Sequence, residues 1–170
     1  MSLLIRPAHH EELPAVGALT LDAYAADGFV RADGPYAEEL RDAAGRAREA
    51  ELYVAVDEEG RLLGTVTYCP VGSEYQEVAS GPAEGEFRML AVARDARRRG
   101  VAEALVRMCV ERSEELGYDA VVLSSMRNQE QAQRLYTRLG FRRTPERDWR
   151  PRPEIELLAF RLDLNGPVGR

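Results

Sequence analysis

Lysine is absent from this chain: all 23 basic residues among its 170 are arginine. A Walker-type phosphate loop, a kinase strand lysine, a Schiff-base site and a Ser–Lys dyad each need a lysine amine, so each is excluded. Arginine stays charged at any working pH, which suits it to phosphate and makes it a poor base. A codon bias toward arginine would account for the absence, and the exclusion holds whatever the cause. Histidine is scarce too. His9 and His10 stand together where a helix begins, and no Gly-x-Ser-x-Gly elbow exists for either to serve. They read as helix-entry residues. The two cysteines, Cys69 and Cys109, are far apart without Cys-x-x-Cys spacing, so neither a disulfide scaffold nor a metal site is expected.

Long apolar runs are also missing. None approaches the ~18 residues of a membrane span, and the apolar stretch in "MSLLIRPAHHEE" is short for a signal peptide. No membrane association and a cytoplasmic location are therefore the expectation. A net charge of −6 argues against nucleic-acid binding, which favours an electropositive face. What is present is ordinary for a globular protein: 45% hydrophobic and 31% charged residues, enough for one core. One domain over residues 1–164, with a tail at 165–170, is the reading.

Along the chain, Leu3–Arg6 predicts a short strand. Leu13, Val16, Thr20, Ala23 and Tyr24 follow a helical period. A second helix is expected from Tyr36 to Ala50. "LYVAVD" and "RLLGTVTYC" form a hairpin around "EEGR", and a polar connection leads into the strand "EFRMLAVA". The helix from Arg99 to Leu116 places Val101, Leu105, Met108, Cys109 and Leu116 on one face, with Gly117 as its stop. "DAVVLS" is a short continuous apolar run, as in a parallel strand covered on both faces. Asn128 is expected to cap another helix, with Gln131 completing a capping-box variant. That helix buries Ala132, Leu135, Tyr136 and Leu139. Two strands, from Phe141 and over "EIELLAFRLDL", close the chain. The order β-α-α-β-β-β-α-β-α-β-β predicts an α/β fold with one mixed sheet containing two right-handed β-α-β units.

Between "MLAV" and the following helix stand Arg97, Arg98, Arg99 and Gly100. The first amides of a helix lack intrahelical partners and carry about half a positive charge from the macrodipole. Such an end binds phosphate. A glycine admits a ligand close to the backbone, and arginines add charge-assisted contacts. Solvated arginines at a surface helix start are the alternative reading of these residues alone.

Residues 97–102, Arg-Arg-Arg-Gly-Val-Ala, fit the signature Gln/Arg-x-x-Gly-x-Gly/Ala of the GCN5-related N-acetyltransferase (GNAT) family. "NQEQAQRLYTRLGF" is similar to the family's second signature, Asn…Ala-x-x-Leu-Tyr-x-x-x-Gly-Phe. The resemblance is dense from Glu86 to Phe141 and implies a single-domain acyl-CoA N-acyltransferase-like fold. It implies that Arg97, Arg98, Arg99, Gly100, Val101 and Ala102 cradle the pyrophosphate of acetyl-CoA, with no metal. It also implies that the strand carrying Leu90, Ala91 and Val92 splays from "DAVVLS", so that freed amides pair with the pantetheine arm. An amide near Leu90 or Ala91 would polarise the thioester carbonyl. Asn128 matches the family asparagine that bonds the same arm.

Acyl transfer to an amine needs a neutral nitrogen, a stabilised oxyanion and a proton for the thiolate. A lysine-like amine has a pKa of about 10.4, so a base or a desolvating pocket must assist. Glu86 matches a carboxylate the family often uses through water; an exposed strand-edge glutamate is its other reading, and Glu84 is the substitute. Tyr136 matches the family's general acid and reads otherwise as a core tyrosine satisfied by one hydrogen bond. Trp149 either walls the acceptor pocket or anchors a loop, and Asp27, Asp33 and Asp148 are loop acids able to attract an amine. Cys109 reads as core, and an acyl-cysteine route through Cys69 is not expected. The implied activity is acetyl transfer to a primary amine of a small molecule or peptide by direct attack. Its rivals are a non-catalytic acyl-CoA-binding regulatory module and a purely structural domain. Homodimers are common in the family, though no segment here carries that expectation.

Overall fold

The run "LLGTVTYC", rich in β-branched residues, forms strand β3 (Leu62–Cys69), buried at every position but its first. It lies within one sheet that also contains β1 (Leu4–Pro7), β2 (Glu51–Val56), β4 (Glu84–Val92), β5 (Ala120–Met126), β6 (Arg142–Arg143), β7 (Trp149–Arg152) and β8 (Ile155–Asp163). Among the described residues there are five α-helices: α1 (Leu13–Ala26), α2 (Pro35–Arg41), α3 (Ala43–Glu49), α4 (Val101–Glu115) and α5 (Glu130–Arg138). The structure, a computed structural model, describes residues 2–164, so the tail at 165–170 lies outside the described residues.

The strands run in the order β1-β2-β3-β4-β5-β8-β6, with β7 also paired to β8. The crossover β4-α4-β5 joins parallel neighbours, as expected. The crossover β5-α5-β6 does not, because β8 inserts between its two strands, antiparallel to both. Local sequence carries no signal for that long-range insertion.

Alternation along β4 sorts the helices between two faces. Phe87 packs on Tyr136 of α5, and a Cβ on Gly85 would meet Ser113 of α4. Arg88, one residue beyond Phe87 and so on the other face, pairs with Glu39 of α2. The α4 face buries Val101, Leu105, Val106 and Cys109, at about 1.5–3 kcal/mol for each large aliphatic side chain. Leu116, expected on that face, is instead 37% exposed, because the helix ends at Glu115 and Gly117 turns away with φ +77°.

The single helix expected over residues 36–50 is two. Asp42 adopts φ −81°, ψ 64° and its carboxylate accepts the Gly45 amide, capping α3. Aspartate competes for backbone donors in this way, which is why it breaks the run. The break lets α2 end against α1. Gly17 of α1 is so close to Arg41 that a Cβ there would lie 2.1 Å from the Arg41 carbonyl oxygen. At the entry to α1, Glu12 accepts the His9 amide at 2.8 Å and a two-pronged bond from Arg6, both contacts at 2.9 Å. His9 and His10 thus stand at a helix entry, as read from the sequence.

Candidate functional site

Strands β4 and β5 pair over three residues, Glu84–Glu86 against Ala120–Val122, and then part. The parting has a local cause. Between Thr65 and Thr67 of β3, the single residue Val66 opposes both Met89 and Leu90 of β4. Met89 takes φ 54°, rare for a non-glycine residue. Such a bulge bends its strand and re-aims the following amides. Beyond it, a cleft of about 830 Å³ opens between β4, α4 and α5.

Leu90, Ala91, Val92, Arg97, Arg98, Gly100, Val101, Ala102 and Asn128 all line this one cleft. Arg98 and Gly100 both have positive φ, 65° and 78°, the left-handed backbone from which anion-binding nests of successive amides are built. A Cβ on Gly100 would meet nothing within 4 Å, so the cradle is open where a phosphate would approach α4. Arg97 lies across the mouth and bonds Asp27 at the end of α1, at 2.9 Å.

Arg99 departs from the expectation. It lines a separate hollow with Ser2, Asp57, Glu58, Glu59 and Arg61. Asn128 is exposed and does not cap α5, and the expected capping box is not formed. Gln129 takes the N-cap position instead, its side-chain oxygen accepting the Met126 amide at 2.9 Å. Ala132 and Leu135 are half-buried rather than core, since the cleft runs beside them.

Tyr136 is 5% exposed, ringed by Phe87, Phe141 and Phe160 at 5.8–6.0 Å. Burial pushes its phenol well above the usual tyrosine range, with Tyr24 adding to the rise, and no hydrogen bond contributes. Ala132 and Leu135 of the same helix line the cleft, whereas Tyr136 does not. Tyr24, read from sequence as part of a helix face, lines the cleft with its phenol toward Gln129.

Glu86 is neither exposed nor on the cleft. It is fully buried, and its Oε1 accepts the amides of Glu77, Val78 and Ala79 at 2.8–3.1 Å. Its Oε2 is buried without a partner. Burial raises its carboxyl against the pull of those amides and Arg88. Glu84 is bound by Arg147 at 2.7 Å and by Arg161. The loop acids are engaged as well: Asp33 with Arg31, Asp148 with Arg143, Asp27 with Arg97. Both cysteines are buried, and burial pushes the Cys69 thiol up, away from nucleophilic use. The Trp149 indole N–H is buried without a partner.

Sequence reasoning missed a polar cluster on the α2 face of β4. There Arg88, its side chain 9% exposed, meets Glu77 at 3.1 Å and Glu39 at 3.5 Å, with the Tyr75 ring 5.7 Å from the guanidinium. Arg46, fully buried, donates to the Glu39 carbonyl at 2.8 Å while its Nε has no partner. No periodicity marks these residues, because they come from a loop, two short helices and a strand.

The profile of the Acetyltransferase (GNAT) family matches residues 18–141. An uncharacterized N-acetyltransferase of Schizosaccharomyces pombe is 33% identical over 114 residues, covering 67% of this chain and 64% of that protein. The match thus spans less than two thirds of the curated relative's length. A GNAT-family acetyltransferase of Staphylococcus aureus superposes with a TM-score of 0.74 at 13% identity, covering 96% of this chain and 99% of the other. Arabidopsis thaliana NAA60, solved with a bisubstrate analogue, gives 0.72 at 21% identity, over 97% and 99% of the two chains. At these identities the structures establish a shared fold.

Proposed function

Because this chain belongs to the Acetyltransferase (GNAT) family, we propose that it transfers the acetyl group of acetyl-CoA to a primary amine by direct attack. One observation carries the reading. The sheet parts at a bulge, and the cleft so opened runs without interruption to the open amide nest at the start of α4. In this assignment the backbone of residues 97–102 holds the diphosphate, with Arg97 and Arg98 adding charge. Leu90 to Val92 and Asn128 hold the pantetheine arm as an added strand would be held. The amine nitrogen attacks the thioester carbon, and the displaced electron pair rests on the oxygen, facing an amide near Leu90 or Ala91. Collapse breaks the carbon–sulfur bond, and the thiolate takes its proton from Tyr136. Burial keeps that phenol fully protonated at neutral pH, so the proton is present to give, and the transfer relies on Tyr136 being held beside the sulfur rather than on a shifted acidity. Among the described residues no helix is long and apolar enough to cross a membrane, and a cytoplasmic site of action, where acetyl-CoA is made and used, fits the free cysteines.

Isothermal calorimetry with acetyl-CoA, followed by thiol release with a polyamine, an amino-acid amide and a peptide with a free N-terminus, tests this. Binding and turnover are expected. Binding without release for any amine would favour a non-catalytic acyl-CoA sensor, and no binding would remove the reading altogether.

A further inference from the structure

The assignment above leaves the amine proton without a taker, since Glu86 is sealed. The loop that seals it holds another carboxylate. Three consecutive amides, of Glu77, Val78 and Ala79, converge on Glu86, and Arg147 binds the Val78 carbonyl at 3.2 Å. Before Glu77, the Gln76 side chain donates to the Cys69 and Glu84 carbonyls at 3.1 and 3.0 Å, so the loop is fixed at both sides of Glu77. The Glu77 carboxylate reaches Arg88 at 3.1 Å and keeps 25% of its side chain exposed. Arg88 immediately precedes the bulge at Met89 and Leu90. Helix α1, whose Tyr24 lines the cleft with Leu90 and Ala91, packs on both β4 and α2, the elements that carry Arg88 and its partner Glu39.

We propose that Glu77 takes the proton from the acceptor ammonium, while Glu86 is a positioning residue that fixes its loop and Arg88 aims its carboxylate. The proposal rests on the acetyl-transfer reading. The ammonium gives one proton to Glu77, which passes it to water, and the freed lone pair forms the carbon–nitrogen bond. The second nitrogen proton, lost from the tetrahedral intermediate, balances the one Tyr136 gives to the departing thiolate. Burial pushes the Glu77 carboxyl up to about 7, Arg88 opposing and Glu86 and Glu39 adding. Tyr24 of α1, Tyr36 of α2 and Cys69 of β3 also face it, and burial keeps all three raised and neutral. A carboxyl near 7 is matched to abstracting a proton at neutral pH.

The test is kcat/KM against pH for the wild type, Glu77→Gln, Glu77→Asp and Glu86→Gln, between about pH 5.5 and 9.5, with the best amine of the three. The wild type should show a limb near 7 besides the amine's own limb at higher pH. Glu77→Gln should lose the lower limb and fall about 10²-fold at neutral pH. Its acetyl-CoA affinity should stay within about twofold, and Glu77→Asp should restore part of the limb. Glu86→Gln should lower the melting temperature and keep the limb. A Glu77→Gln enzyme that keeps the limb, or that loses acetyl-CoA affinity in step with activity, overturns the proposal. A wild type that binds acetyl-CoA and acetylates none of the amines overturns the transferase reading, and this assignment with it.

Discussion

What holds Tyr136 in place is its ring. Its contacts with Phe87, Phe141 and Phe160 are all made by the ring. Removing the oxygen alone should therefore leave the fold intact. Tyr136→Phe is expected to lower kcat about 10²-fold at saturating acetyl-CoA while Kd for acetyl-CoA changes little, read by thiol release and calorimetry. Equal turnover would show that the thiolate leaves without it. The position of this residue was legible because it sits in a dense motif after a strong helical pattern. Glu77 was not legible, because a polar connector has no period and its neighbour Arg88 looks like any strand arginine. Glu86 stands between: its motif position drew attention to it, but the three amides that occupy it come from a loop whose path sequence does not give.

Among the elements, α1 and α2 show how close packing depends on one small residue. A methyl on Gly17 would stand 2.1 Å from the Arg41 carbonyl oxygen, where backbone on both sides must move. Gly17→Ala is expected to cost about 1–3 kcal/mol, measured as a lower midpoint in urea, despite the gain in helix propensity. Helices and strands with clear periods, α1, α4, β3 and β5, were readable from their residues. The split between α2 and α3 was not, since the apolar stripe continues across Asp42 and the break comes from its side chain turning to the Gly45 amide. The bulge at Met89 was equally silent: nothing in "EFRMLAV" announces a positive φ.

For the whole molecule, carboxylates bound by arginine, near in sequence as Glu12 and Arg6 or distant as Glu84 with Arg147 and Arg161, set the acid limit. Hydrogen bonds from Arg6 hold the Glu12 carboxyl at about 2. Burial works to raise Glu84, but Arg147, the Ser80 amide and Arg161 keep it below the usual range. Both folded values lie under the unfolded ones. Their stabilisation is therefore complete above the ordinary Glu12 value of 4.5 and fades as pH falls toward about 2. The melting temperature should drop through that window, and Glu12→Gln should flatten part of the drop; an unchanged profile would assign acid lability elsewhere. The mixed sheet was readable from the order of its elements, whereas β8 entering between β5 and β6 depends on pairing between remote segments. The parting of β4 from β5 has one more consequence. The two strands form a zipper halted after three teeth, and the stop is the extra residue that faces Val66. A chain one residue shorter there would be free to close the remaining teeth, and a tighter, better-paired sheet would be one with nowhere left to admit a guest.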